Sequence, residues 1–176
     1  MREAYSREAC FDKGRAGEQI TVMAVLELTD LFAALPPMTP VFGLDLGEKT
    51  IGVAVSDLTR MIASPLTLIR KAKFTDDANQ LFKLMEGRGG CGIVIGLPIN
   101  MDGTEGPRCQ SVRAFARNLL RLREDLAIAF WDERLSSAAV NRLLISEADT
   151  TRARRAEVVD KMAAAYILQG ALDRLR

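Results

Sequence analysis

VFGLDLGEKTIGVAVSD, residues 41–57, decides how the rest of the chain is to be understood. Two runs rich in branched and apolar residues, VFGLDL and IGVAVS, flank the short Gly47-Glu48-Lys49-Thr50 turn, which is the pattern of an antiparallel β-hairpin. The first run contains an aspartate. Alternation along a strand puts Leu44 and Leu46 on one face and Gly43 on the other, so Asp45 shares the face of the glycine. A buried ionised carboxylate costs several kcal/mol unless a cation or hydrogen-bond donors compensate it. Asp45 therefore either caps the turn at Gly47, as aspartates often do, or belongs to metal or phosphate chemistry.

Outward from the hairpin, SPLTLIR reads as a third strand, after which the pattern becomes an alternation of helix and strand. FTDDANQLFKLMEGR is amphipathic at helical spacing, CGIVIG is a short continuous apolar run, and PRCQSVRAFARNLLRLRE is helical with Pro107 in its first turn. LAIAFW is another buried strand, LSSAAVNRLLIS a helix opened by serines, TTRARR a basic connector, and AEVVDKMAAAYILQGALDRL the final helix. This order predicts an α/β fold: a mixed five-stranded sheet, a meander of three strands plus two parallel additions, with helices on both faces. Residues 39–176 form the expected domain. Residues 1–38 form an N-terminal extension, in which AVLELTDLFAALPP suits a short helix or an extended arm. Residues 1–22 are polar and aperiodic, a disordered tail or residues ahead of a later start at Met23.

Composition narrows the chemistry. A chain of 176 residues, 48% hydrophobic and 27% charged, suits one domain with one core. A formal net charge of +1 argues against a dedicated non-specific nucleic-acid binder, although a local basic face is compatible with it. Cys10, Cys91 and Cys109 lack the spacing of a zinc or redox motif and read as reduced thiols. No signal peptide or membrane-spanning run is evident, so a soluble intracellular protein without a membrane partner is expected. There is no histidine, which excludes Ser-His and Cys-His triads and histidine-based metal sites.

Carboxylates supply the alternative. WDERLSS ends a strand with Asp132 and Glu133, which point to opposite faces at the C-terminal edge of the sheet, where α/β folds place their sites. On the last helix, Asp160 lines up with Ala164, Ile167, Leu168 and Ala171, so it projects from the apolar face. A solvated loop would account for the first pair, and pairing with Arg154 or Arg155 for the second. Together, Asp45, the Asp132-Glu133 pair and Asp160 approach one sheet edge from three separate segments, the pattern of a divalent-cation site. Hard Mg²⁺ or Mn²⁺ wants oxygen ligands, and a two-metal site hydrolyses phosphodiesters without histidine. GLPINMDGTEGP, following a strand, offers Asn100, Thr104 and backbone amides to phosphates. Arg113, Arg117 and Arg121 recur every four residues as a basic stripe or simply a solvated face. Lys49, Arg134, Arg152, Arg154 and Arg155 are further candidates for holding a polyanion.

GLDLGEKTIGVAVSD, VIGLPINMDGTEGPR, WDERLSS and VDKMAAAYIL, in this order, resemble the four signature blocks of the YqgF family, also called RuvX. The resemblance covers residues 41–175. It implies an RNase H-like fold of the RuvC resolvase type and a metal-dependent nuclease of the bacterial cytoplasm that matures the 5′ end of pre-16S ribosomal RNA. It makes Asp45 the first-strand metal ligand, sets Asp132 and Glu133 in the DER motif, and makes Asp160 the C-terminal helix acid. Glu48 stands where the family often has threonine or another small polar residue, and WDERLSS has serine where threonine is common; neither change removes a ligand. AVLELTDLFAALPP resembles an arm that some members carry. Branched-DNA cleavage is the alternative activity, and symmetric cutting of two strands would call for a homodimer, although no segment reads as a dimer seam. Two rivals differ in class. The hairpin also looks like the first phosphate loop of the actin and sugar-kinase ATPases, but one domain lacks their second lobe. A non-catalytic module binding RNA or a transcription factor through the arginine stripe would tolerate loss of the acids.

Overall fold

The computed structural model describes residues 25–123, 125–135 and 152–175, with the backbone alone for 135 and 152–161. The expected 1–22 tail, Cys10 and most of the LSSAAVNRLLIS helix lie outside the described residues. The chain order is β1 (Val25–Leu26), α1 (Leu28–Ala34), β2 (Val41–Leu46), β3 (Thr50–Ser56), β4 (Ala63–Arg70), α2 (Phe74–Glu86), β5 (Gly92–Leu97), α3 (Pro107–Leu122), β6 (Ala127–Asp132), a 3₁₀ turn (Glu133–Leu135) and α4 (Arg152–Asp173).

These strands form one mixed sheet in the order β1-β6-β5-β2-β3-β4. β2, β3 and β4 are the antiparallel meander expected from the hairpin, while β5 and β6 add in parallel beside β2. The sheet has six strands rather than the five expected, because Val25 and Leu26 pair in parallel with Ile128 and Ala129. The N-terminal arm thus supplies both a strand and a helix, and Leu31 and Leu35 of that arm are buried. A second difference lies at α4, which begins at Arg152, so the arginines of the expected TTRARR connector occupy its first turn. Arginine is a good helix former, and basic composition alone does not break a helix.

Each face of the sheet carries its own core. Phe42, Leu44, Ile51, Val53, Ile93, Ile95 and Ile128 pack against Leu81 and Met85 of α2 and Val112, Ala116 and Leu119 of α3. On the other face, Val41, Val94, Ala129 and Trp131 pack against Leu31 of α1 and Ala164, Ile167, Leu168 and Ala171 of α4. Every residue of β5 is buried, as a central strand covered on both sides requires. The outer strand β4 is protected differently: Pro65 withholds a donor, and the register slips so that Leu66 has no partner on β3.

Gly43 sets the distance between β2 and α4. A Cβ there would lie 2.6 Å from the Leu168 Cβ and 2.8 Å from the Ala164 carbonyl oxygen. Backbone cannot retreat as a flexible side chain can. Gly43→Ala is therefore expected to destabilise the fold by about 1–3 kcal/mol, seen as a melting temperature lower by roughly 3–10 °C in circular dichroism. An unchanged melting temperature would show that α4 is not seated on this strand.

The same helix is fixed at its far end by Gln169, which accepts a 2.8 Å hydrogen bond from the Ala63 amide at the start of β4. That point is level with Val41, since Ala63 pairs with Ser56 and the Val41 amide donates to the Ser56 hydroxyl at 2.9 Å. Going backwards along α4, Ala164 lies over Gly43.

Candidate active site

The C-terminal ends of β2, β5 and β6 converge at one edge of the sheet. Asp45 lies opposite Gly52 on β3, on the face of β2 that Gly43 turns towards α4. On β6, Trp131 belongs to the α4-side core, whereas Phe130 packs on the α3 side. Alternation then sends Asp132 to the α3 side and Glu133 to the α4 side. Glu133 reaches over β5: its Oε1 lies 2.5 Å from where a Cβ on Gly96 would stand, and Ile167 of α4 closes in at the same distance. Only glycine leaves that carboxyl its place.

The charge of Asp45 reaches Glu133. The Glu133 carboxyl is pushed up from its ordinary 4.5 to about 7, first by burial and then by the negative charge of Asp45, with Arg108 acting the other way and Asp132 adding to the rise. A pair of carboxylates that resist joint ionisation fits a divalent cation, which removes the repulsion by binding both. Among the described residues no cluster of three Asp, Glu or Cys side chains forms a complete metal cage. The third expected ligand, Asp160, has its side chain outside the described residues, as do Arg152, Arg154 and Arg155.

Asp132 is engaged elsewhere. It accepts hydrogen bonds from the Arg134 backbone amide at 3.0 Å and from the Arg134 guanidinium at 2.9 and 2.6 Å. This pairing holds its carboxyl below the usual range. Asp45 and Glu133 thus share the α4 side of the sheet edge, while Asp132 lies on the α3 side, joined to Arg134.

The loop after β5 is closed upon itself. The Asn100 side chain donates to the Thr104 hydroxyl at 2.9 Å, and Asp102 accepts from the Thr104 amide at 2.9 Å and hydroxyl at 2.6 Å. The Asn100 amide donates to the Thr104 carbonyl and the Gly103 amide to the Asn100 carbonyl. Three backbone amides of the loop are therefore committed within the turn, that of Thr104 to the Asp102 carboxylate and those of Asn100 and Gly103 to backbone carbonyls. Arg113 also departs from a simple stripe: its Nε donates to Glu105 at 2.8 Å, and its guanidinium lies 4.9 Å from the Phe130 ring centroid. Arg117, Arg121 and Lys49 are exposed. Cys91 and Cys109 are both buried.

Two basic residues that the motifs did not single out stand beside the acids. Lys71, just after β4, interacts with the charges of Asp45 and Arg108, and its ammonium donates to the Gly47 carbonyl. Arg108, second residue of α3, acts on Glu133. Arg108 was findable, since it directly follows the helix-starting Pro107 after a strand that ends at the active edge. Lys71 had no local signal.

The RuvX family model, described as Holliday junction resolvase, matches residues 39–174. A relative from Phenylobacterium zucineum named "Putative pre-16S rRNA nuclease" is 79% identical over 154 residues, 88% of this chain and 99% of its own. A protein of the same name from Caulobacter vibrioides strain NA1000 / CB15N is 69% identical with the same coverage. Among solved structures, the yeast mitochondrial Holliday junction resolvase Ydc2 is similar at 12% identity and TM-score 0.49, over 84% of this chain and 85% of its own. Thermus thermophilus RuvC in complex with a Holliday junction is similar at 11% identity and TM-score 0.46, over 78% and 96%. The chain, with its mixed six-stranded α/β sheet, belongs to the RuvX family.

Proposed function

We propose that this protein is a divalent-metal-dependent nuclease that hydrolyses phosphodiester bonds in the 5′ maturation of pre-16S ribosomal RNA. The observation that carries the reading is that Asp45 and Glu133 share the α4 side of one sheet edge, Glu133 seated over Gly96 and raised by the charge of Asp45. The names and the 79% and 69% identities of the full-length relatives support the choice of substrate. Asp45, Glu133 and Asp160 are the ligands, and Mg²⁺ or Mn²⁺ suits their all-oxygen set in a two-metal arrangement. A bound divalent ion would activate water and offset the charge developing on the leaving oxygen. The protein supplies the rest: Asp45 and Glu133 hold their positions on rigid strand ends, and Lys71 and Arg108 hold the substrate's phosphates near them. Asp132 fixes Arg134 at the rim, where it adds positive charge to the loop bearing Asn100 and Thr104. The cytosol is the compartment this reading assigns; no described helix is long and apolar enough to cross a membrane.

The family description favours one alternative, cleavage of branched DNA, which would require a homodimer. A cleavage assay offering a 5′-extended 16S RNA fragment and a four-way DNA junction in parallel, with Mg²⁺, Mn²⁺ or EDTA, separates the readings. RNA cleavage dependent on the metal is expected. Cutting of the junction with the RNA left intact would move the assignment to resolvase, and RNA binding without any cleavage would favour the non-catalytic module.

A further inference from the structure

A pocket of about 320 Å³ lies at the same edge of the sheet, on the α3 side of the end of β2. One wall is apolar, made of Leu46, Val112 and Phe115. Phe115 is braced from behind by Phe74, edge to face at 5.4 Å between centroids. The opposite rim is cationic: Lys71 and Arg108 both line it, on segments that only the fold brings together. Glu48, the single acid of the lining, is exposed.

This combination selects for one chemistry. Two cations held near each other repel, and a bound anion offsets that cost; a flat apolar wall favours a planar ring. The volume lies at the small end of the ~300–1,000 Å³ typical of ligand sites, room for one nucleotide and not for a base pair. A base stacked inside a duplex cannot offer its face to Phe115, whereas an unpaired one can. The pocket adjoins the strand end that bears Asp45, since Leu46 and Gly47 of its lining directly follow that residue, on the opposite face of the sheet.

We infer that this pocket holds one unpaired nucleotide of the RNA beside the scissile phosphate, its base on Phe115, Val112 and Leu46 and its phosphate between Lys71 and Arg108. The inference rests on the nuclease reading and deepens it: the enzyme selects single-stranded RNA at the cleavage position. Ser111, exposed on the pocket's lip, provides a way to fill the space without touching the core.

The test uses one RNA of fixed sequence spanning the cleavage position, either single-stranded or annealed to its complement. Cleavage is followed with Mn²⁺, and binding by fluorescence anisotropy in EDTA, for the wild type, Ser111→Trp and Arg108→Ala. Circular dichroism establishes that each variant is folded. The wild type is expected to cleave the single strand at least about tenfold more efficiently than the duplex. Both variants should weaken single-strand binding about tenfold or more, the order of one lost stacked base or phosphate contact, with the loss falling mainly on KM. Equal cleavage of duplex and single strand, or unchanged single-strand affinity in both variants, would overturn the pocket while leaving the nuclease standing. If nothing is cleaved, yet both variants lose single-strand affinity in EDTA, the nuclease reading fails and the nucleotide pocket survives. Displacement of the RNA by millimolar AMP at an affinity matching the oligonucleotide's would overturn the single-strand assignment in favour of a free-nucleotide site.

Discussion

Asp45→Asn is expected to lower metal-dependent RNA cleavage by roughly 10³-fold or more while the protein stays folded. Loss of even an outer partner of a metal ligand typically costs about 10- to 100-fold, and a ligand at the centre of the donor set should cost more. Asparagine keeps the shape and one acceptor oxygen but loses the charge that repels Glu133 and attracts a cation. The apo fold should therefore survive, as circular dichroism and a melting curve in EDTA can establish. Raising the Mn²⁺ concentration should recover only part of the activity. Cleavage within about twofold of wild type would remove Asp45 from the metal site and with it the proposed mechanism.

Glu133→Gln is expected to have opposite effects on activity and stability. Cleavage should fall to a similar degree, because the second converging carboxylate is lost. In EDTA at pH 8, however, the variant should be more stable than the wild type. The folded Glu133 titrates near 7 against an ordinary 4.5, so the folded state retains a proton that the unfolded state has released. The associated stability is fully present below about pH 4.5 and is lost as pH rises through about 7. The difference bounds the effect at about 3 kcal/mol, and solvent screening of a partly exposed carboxyl reduces it to about 1–2 kcal/mol. Glutamine, which never ionises, should raise the melting temperature at pH 8 by roughly 3–6 °C and change it little at pH 4. Added Mn²⁺ should reverse the order at pH 8, since ligand binding to the native state stabilises the wild type more. A variant no more stable than wild type at pH 8 in EDTA would mean that Glu133 carries no such strain.

Together these outcomes describe a site that destabilises the empty protein in order to bind a cation. Gly43 and Gly96 belong to the same device. The first lets α4 rest directly on β2, and the second leaves room for the Glu133 carboxyl over β5. Neither glycine touches the proposed chemistry, and both determine where it sits.

Much of this was legible before any coordinates. Four of the strands, at 41–46, 50–56, 92–97 and 127–132, announce themselves as short apolar runs, because a strand buried on both faces has no room for polar side chains. The hairpin after Asp45 follows from the short polar turn between two such runs. The two-residue strand at Val25–Leu26 was not legible, since two residues carry no periodicity and their pairing depends on the distant edge of β6. Nor was the start of α4 at Arg152, because a polar first turn resembles a connector when its neighbours are unknown.

The site divides in the same way. Sequence by itself determined that no histidine takes part and offered carboxylates in its place, and strand alternation set Asp132 and Glu133 facing opposite ways. It also set Asp45 on the face of Gly43. Which face α4 covers, and so that Ile167 closes over the same glycine as Glu133, was decided only by tertiary packing. The same packing drew Arg113 onto Glu105 and Phe130 and brought Lys71 and Arg108 to one pocket rim. Local patterns record which residues are buried and at what period. The partners that share a buried space are chosen by long-range closure of the sheet and its helices, and the electrostatics of the site arise from that closure.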